Sequence, residues 1–155
     1  MKKSLLLFFY SILIYIFSCT RIDLHEKLTP VPAHEWRSNF KPHFSFDITD
    51  TTASYQPFLI VRHNDKYNYN NIWLNIYIKN PDNTVQKFQI EKALASNAGW
   101  LGTGMDDIYE HRLPLTPEAI PFKKSGHYIF TIEHIMREDP LENIMDVGLR
   151  LEKKP

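Results

Sequence analysis

Between Ile72 and Lys79 the chain alternates without a break, with Ile72, Leu74, Ile76 and Ile78 on one side of an extended backbone and Trp73, Asn75, Tyr77 and Lys79 on the other. Burying one such aliphatic side chain is worth about 1.5–3 kcal/mol. A register slip of one residue would put all of them in water, so the pairing of this strand is strongly fixed. It needs hydrogen-bonded neighbours and a second apolar layer over its face. Asn80-Pro81-Asp82-Asn83 follows at once. Proline presets φ, and Asp and Asn bond their own backbone, which predicts a hairpin into Val85–Ile90.

The same period recurs along the chain. Phe44, Phe46 and Ile48 alternate with polar residues, and a mostly apolar run spans Tyr55 to Arg62, where Pro57 predicts a sheet edge or strand end. Further strands are expected at Ile108–Leu115, His127–Ile135 and Met145–Leu151, the last with Met145, Val147, Leu149 and Leu151 on one face. No amphipathic helix stands out. Only Asp139-Pro140-Leu141-Glu142 has the cap, proline and glutamate spacing of a helix start, predicting a turn or two. Glu91 to Met105, with Gly99, Gly102 and Gly104, reads as one long irregular loop. The fold class is therefore all-β, a single antiparallel β-sandwich of seven or eight strands.

The N-terminus sets the compartment. Met1-Lys2-Lys3 precedes an uncharged stretch from Ser4 to Ser18, and Cys19, the sole cysteine, closes it. A positive start and an apolar run of this length make a secretory signal, short of the ~20 residues a bilayer span needs, with a retained transmembrane anchor as the alternative. A thiol at that point is where bacterial lipoproteins take their lipid, so residues 1–18 read as a lipoprotein signal peptide, 19–42 as lipidated cysteine and tether, and 43–155 as the sandwich domain. Without a second cysteine no intrachain disulfide can form, and the domain rests on its core. Lys plus Arg and Asp plus Glu are balanced at 18 each, and removing Lys2 and Lys3 leaves 16 against 18. Nucleic acid is thereby excluded as a partner, and membrane attachment falls to acyl chains at about 0.8 kcal/mol per buried CH₂.

Two aromatic segments are the candidate contact surface. Tyr67, Tyr69, Asn71 and Trp73 interleave rings with amides, and Trp100, Gly102, Gly104, Asp107 and Tyr109 lie along a glycine-rich stretch. Such residues suit a protein partner, or a glycan stacked on rings and bonded to amides; they equally suit turns and half-buried strands. Asp106, Asp107, Glu110 and His111 lack calcium-loop spacing, and Glu110 and Arg112 should share a solvated, salt-bridged face. The seven histidines show no zinc spacing and read as surface or strand-end residues. Pairings such as Glu35 with Asp107 or His63 with Ser54 have no support in spacing, and no nucleophile elbow is present. No enzyme activity, cofactor or metal is expected beyond the covalent lipid.

The motifs Tyr67-Asn68-Tyr69-Asn70-Asn71-Ile72-Trp73 and Trp100-Leu101-Gly102-Thr103-Gly104-Met105-Asp106-Asp107-Ile108-Tyr109 resemble the gliding motility lipoprotein GldH family of Bacteroidota. So do His34-Glu35-Trp36, Arg62-His63, Gly126-His127-Tyr128, Met136-Arg137 and Asp146-Val147-Gly148-Leu149, in order across nearly the whole chain. Asp106 departs from the pattern, standing where the family usually has glycine. The resemblance implies a non-catalytic accessory lipoprotein of the gliding or envelope machinery, with other envelope proteins as partners. Thr20-Arg21-Ile22-Asp23 lack an acidic export run, so the expected location is the outer membrane, facing the periplasm.

Overall fold

A computed structural model of the protein describes residues 24–154; the expected signal segment and Cys19 lie outside the described residues. In chain order the strands are β1 (Leu24–Pro30), β2 (Glu35–Trp36), β3 (His43–Ile48), β4 (Ser54–Asn64), β5 (Asn71–Lys79), β6 (Val85–Ala93) and β7 (Ala95–Ser96). They continue as β8 (Gly99–Trp100), β9 (Thr103–Met105), β10 (Ile108–Pro114), β11 (Ile120–Pro121), β12 (Gly126–His134), β13 (Leu141–Glu142) and β14 (Ile144–Lys154). Among the described residues one 3-10 turn covers Pro32–His34. One sheet has the order β1-β14-β4-β10-β9, with β11 also on β4; the other is β3-β12-β5-β6. All pairings are antiparallel.

The core lies between these sheets. Ile72, Leu74, Ile76 and Ile78 of β5 are all buried, as the alternation requires, and they share one cluster with Leu59 and Val61 of β4 and Val147, Leu149 and Leu151 of β14. The hairpin after β5 closes through Asn83 N–H to Asn80 O and Asn80 N–H to Thr84 O, both 2.9 Å, with Asn83 at φ 65°. Asparagine tolerates that left-handed conformation better than most side chains.

Several expectations are corrected. The segment read as tether enters the fold at Leu24, because β1 pairs with β14 from Leu24↔Glu152 to Pro30↔Asp146. It is an edge strand with an exposed Leu28, which blurs its alternation. Val31 and Trp36 are buried behind it, and Trp36 Nε1–H donates to Phe40 O at 2.8 Å. No helix forms at Asp139. Its carboxylate accepts the Ser38 N–H at 2.9 Å and the Ser38 hydroxyl at 2.5 Å, and buried Leu141 pairs with Trp36 in the β2–β13 ladder. Tertiary burial has overridden a local cap signal.

Pro57 lies inside β4, in the middle of the sheet. It falls in the gap between the β10 pairing, which ends at Phe58, and the β11 pairing at Tyr55, so its missing N–H interrupts neither ladder there. The long loop expected over 91–105 resolves into the β7–β8 hairpin and the short β9. These short elements raise the strand number above the expected seven or eight.

Candidate functional site

At one end of the sandwich the two aromatic segments meet around His63. On β4 the alternation turns Arg62 outward and His63 inward, and the β10 register sets Tyr109 opposite His63 and His111 opposite Val61. The His63 ring therefore stacks between its neighbours, 5.8 Å from Tyr109 at 24° and 5.0 Å from His111 at 16°. Trp100 of β8 meets it edge-on at 4.4 Å, and Tyr67 from the β4–β5 connection lies at 5.2 Å. Tyr67 touches Tyr69 and Trp100, and Trp100 touches Tyr109. Such ring pairs add about 0.5–1.5 kcal/mol each beyond burial.

Two glycines let the chain come this close. A Cβ on Gly102 would stand 2.5 Å from Glu110 O and 2.9 Å from the His111 ring, and one on Gly104 would stand 2.8 Å from the Tyr109 ring. Any side chain here would push the β8–β9 segment off β10. The turn from β9 to β10 is Asp106-Asp107, with Asp106 at φ 56°. That left-handed backbone is the physical reason a glycine suits this position.

The polar atoms of His63 and the Tyr67 hydroxyl are committed. His63 Nδ1 is 2.6 Å from Asn64 O and His63 Nε2 is 2.9 Å from His111 Nε2. A carbonyl only accepts, so Nδ1 of neutral His63 carries the hydrogen, and His111 Nε2–H donates to His63 Nε2. Burial pushes both imidazoles down, and the neighbouring His63 helps carry His111 to about 4. Tyr67 is 4% exposed, its hydroxyl donates to Asn71 O at 3.0 Å, and burial raises its pKa far above the ordinary phenol value. At neutral pH the two imidazoles and Tyr67 are uncharged and bonded to one another or to backbone, and the cluster ties the hairpins to the core.

Of the expected contact residues, Tyr67, Tyr69, Trp100, Gly102, Gly104 and Tyr109 gather here. Asp107 is exposed in the turn, its carbonyl accepting from Asp65 N–H at 2.8 Å. Asn71 and Trp73 stand on the outer face of β5, Asn71 donating to Glu91 at 2.6 Å and Trp73 37% exposed. Glu110 does lie with Arg112 on an outer face, but its partner is Arg62, at 2.6 Å, which also reaches Asp146 at 3.3 Å. In the β8–β9 segment Leu101 is 57% exposed and Met105, on the outer face of the sheet with Arg62 and Glu110, is 76% exposed.

The reading of the histidines as surface residues fails for His63, His111 and His134, all buried. The signal was present in the strand parity, since His63 shares the face of Leu59 and Val61, and His111 that of Leu113. His63 is at the opposite end of β4 from Ser54, so no nucleophile–base pair forms there. Among the described residues no group of three or more His, Cys, Asp and Glu could hold a metal ion.

The class defined by this fold and site is an all-β, two-sheet sandwich capped at one end by a locked aromatic–imidazole cluster. A family model for GldH lipoprotein matches residues 23–151, and the chain belongs to that family. It is 32% identical to a gliding motility lipoprotein GldH homolog of Christiangramia forsetii, covering 97% of this chain and 95% of that protein. It is 31% identical to the gliding motility lipoprotein GldH of Flavobacterium johnsoniae, covering 91% of each. A solved structure from Sulfurospirillum deleyianum aligns with a TM-score of 0.46 at 14% identity, over 84% of this chain and 98% of that one, a likeness too distant to bear on the site.

Proposed function

We propose that this chain is a lipid-anchored accessory protein of the gliding or envelope machinery, held to the periplasmic face of the outer membrane through Cys19 and acting by protein–protein contact. The relatives' names support the role, and the sequence around Cys19 supports the anchor. The observation that carries the contact reading is the exposure of two large apolar side chains, Leu101 and Met105, on the β8–β9 segment, which Trp100 and Tyr109 anchor to the rest of the fold. Met105 lines a surface cavity with Thr103, Ile108, Arg62, Glu110 and Arg112. An apolar centre with a charged rim is the anatomy of a protein interface. A glycan platform fits less well, because the Tyr67 ring is buried among His63, Tyr69 and Trp100.

The test is crosslinking in native membranes followed by pull-down, comparing the natural chain with a Leu101→Ser/Met105→Ser variant whose fold is checked by circular dichroism. Specific envelope proteins captured by the natural chain and lost from the variant are the expected result. Equal capture by both forms would move the contact surface elsewhere. Protease treatment of intact against permeabilised cells checks the facing, with digestion expected only after permeabilisation.

A further inference from the structure

Exposed sheet edges invite pairing with another strand, and proteins ordinarily blunt them. Here three of the four edges of the main sheets are blunted. β1 ends in Pro30, and its Lys27 ammonium donates to Ser45 O on β3, tying the two edge strands on that flank together. β9 is only three residues long. β6 is different. It offers nine residues, most of them exposed, and among the described residues β5 is the only strand hydrogen-bonded to it.

The sequence of this edge complements itself. When a strand pairs antiparallel with a second copy of itself, facing residues must point to the same side, so the two-fold axis has to pass through a residue. With the axis at Gln89, Phe88 faces Ile90, Lys87 faces Glu91, Gln86 faces Lys92 and Val85 faces Ala93, each pair occurring twice. Apolar meets apolar and cation meets anion. Moving the axis away from Gln89 breaks this: an axis at Phe88 sets Val85 against Glu91, one at Ile90 sets Phe88 against Lys92, and axes at Lys87 or Glu91 oppose like charges.

We infer that the β6 edge is a self-association surface, joining two copies of this chain into a symmetric dimer through an antiparallel β6–β6 ladder centred on Gln89. The side chains suit it. Glu91 uses Oε1 for Asn71, leaving Oε2 for Lys87 of the second copy, and Lys87, which in the single chain lies across the ladder over the Tyr77 ring of β5 at 5.3 Å, reaches it by turning to the open side. Phe88 and Ile90 are half-buried at the open flank of the core and would cover one another across the axis.

The experiment is disulfide trapping of the full chain in its own membranes under mild oxidation, with the natural chain, whose one cysteine is Cys19, as background. Gln89→Cys puts two thiols face to face on the axis, within reach of a disulfide, and should give a dimer band well above background. Lys87→Cys alone should not, since its two copies stand about 13 Å apart along the ladder, whereas mixing Lys87→Cys with Glu91→Cys chains should. Adding Lys87→Glu to Gln89→Cys should abolish trapping, and adding Glu91→Lys as well should restore it. Trapping of Gln89→Cys at background level, or of Lys87→Cys as efficiently as Gln89→Cys, would overturn the inference. Circular dichroism of these surface variants checks that the fold is kept.

Discussion

His63 and His134 are both buried at strand ends, yet one is woven into a network and the other stands apart. His63 bonds through both ring nitrogens and is packed by Tyr67, Trp100, Tyr109 and His111. His134 meets Trp36 edge-on at 5.3 Å, and neither of its nitrogens makes a hydrogen bond of good geometry among the described residues. The Trp36 backbone and the Asp139 carboxylate only partly offset the burial that pushes its pKa down. The contrast separates two uses of one residue type. At His63 the polar atoms specify an arrangement of hairpins; at His134 the ring fills space and its polarity is a cost.

The largest effect should come from the rings beside each histidine. Trp36→Ala removes a fully buried side chain and should lower unfolding free energy by about 3–5 kcal/mol in denaturant titration, while Trp100→Ala, at a half-buried position, should cost less than half as much. Equal losses would erase the difference in depth between the two environments.

Acid should come next. The folded pKa of His111, about 4, lies below the unfolded 6.5. As pH falls the unfolded chain takes up its proton first, so this stability is complete above pH ~6.5 and is lost progressively toward pH 4, up to about 3 kcal/mol. His63 and His134 shift in the same direction. Glu133, held at about 2 chiefly by Lys41, contributes in full above pH ~4.5 and loses that stability only as pH falls further. A His63→Leu/His111→Leu variant should flatten the profile between pH 6.5 and 4 more than His134→Leu does; an unchanged profile would break the comparison.

The single replacements sharpen it further. His111→Leu strands the acceptor nitrogen of His63 and should cost about 1–3 kcal/mol at neutral pH. His134→Leu strands nothing and should lie within about 1 kcal/mol of the natural chain, on either side.

The sequence revealed what periodicity controls. The faces of β5 and β14 and the hairpin at Asn80 followed from alternation and turn chemistry alone. β1 was hidden because an edge strand buries little and need not alternate cleanly, and β13 because its cap-like Asp139 serves Ser38, about a hundred positions away in the chain. At the site, the aromatic residues were visible but their meeting was not, since it depends on the β4–β10 register. The buried histidines could have been placed by strand parity, but their ordinary polarity argued for the surface.

The position of β1 has a mechanical consequence. Its first residue, Leu24, follows Cys19 by only a few positions, so tension on a membrane anchor would enter the domain through this strand. Pulled along its axis, the β1–β14 ladder bears load on many hydrogen bonds at once; pulled sideways, it would peel one bond after another. The Lys27 tie to Ser45 passes part of that load to the opposite sheet. An anchor there would harness the sandwich at a flank where both layers share the strain and leave the β6 flank slack.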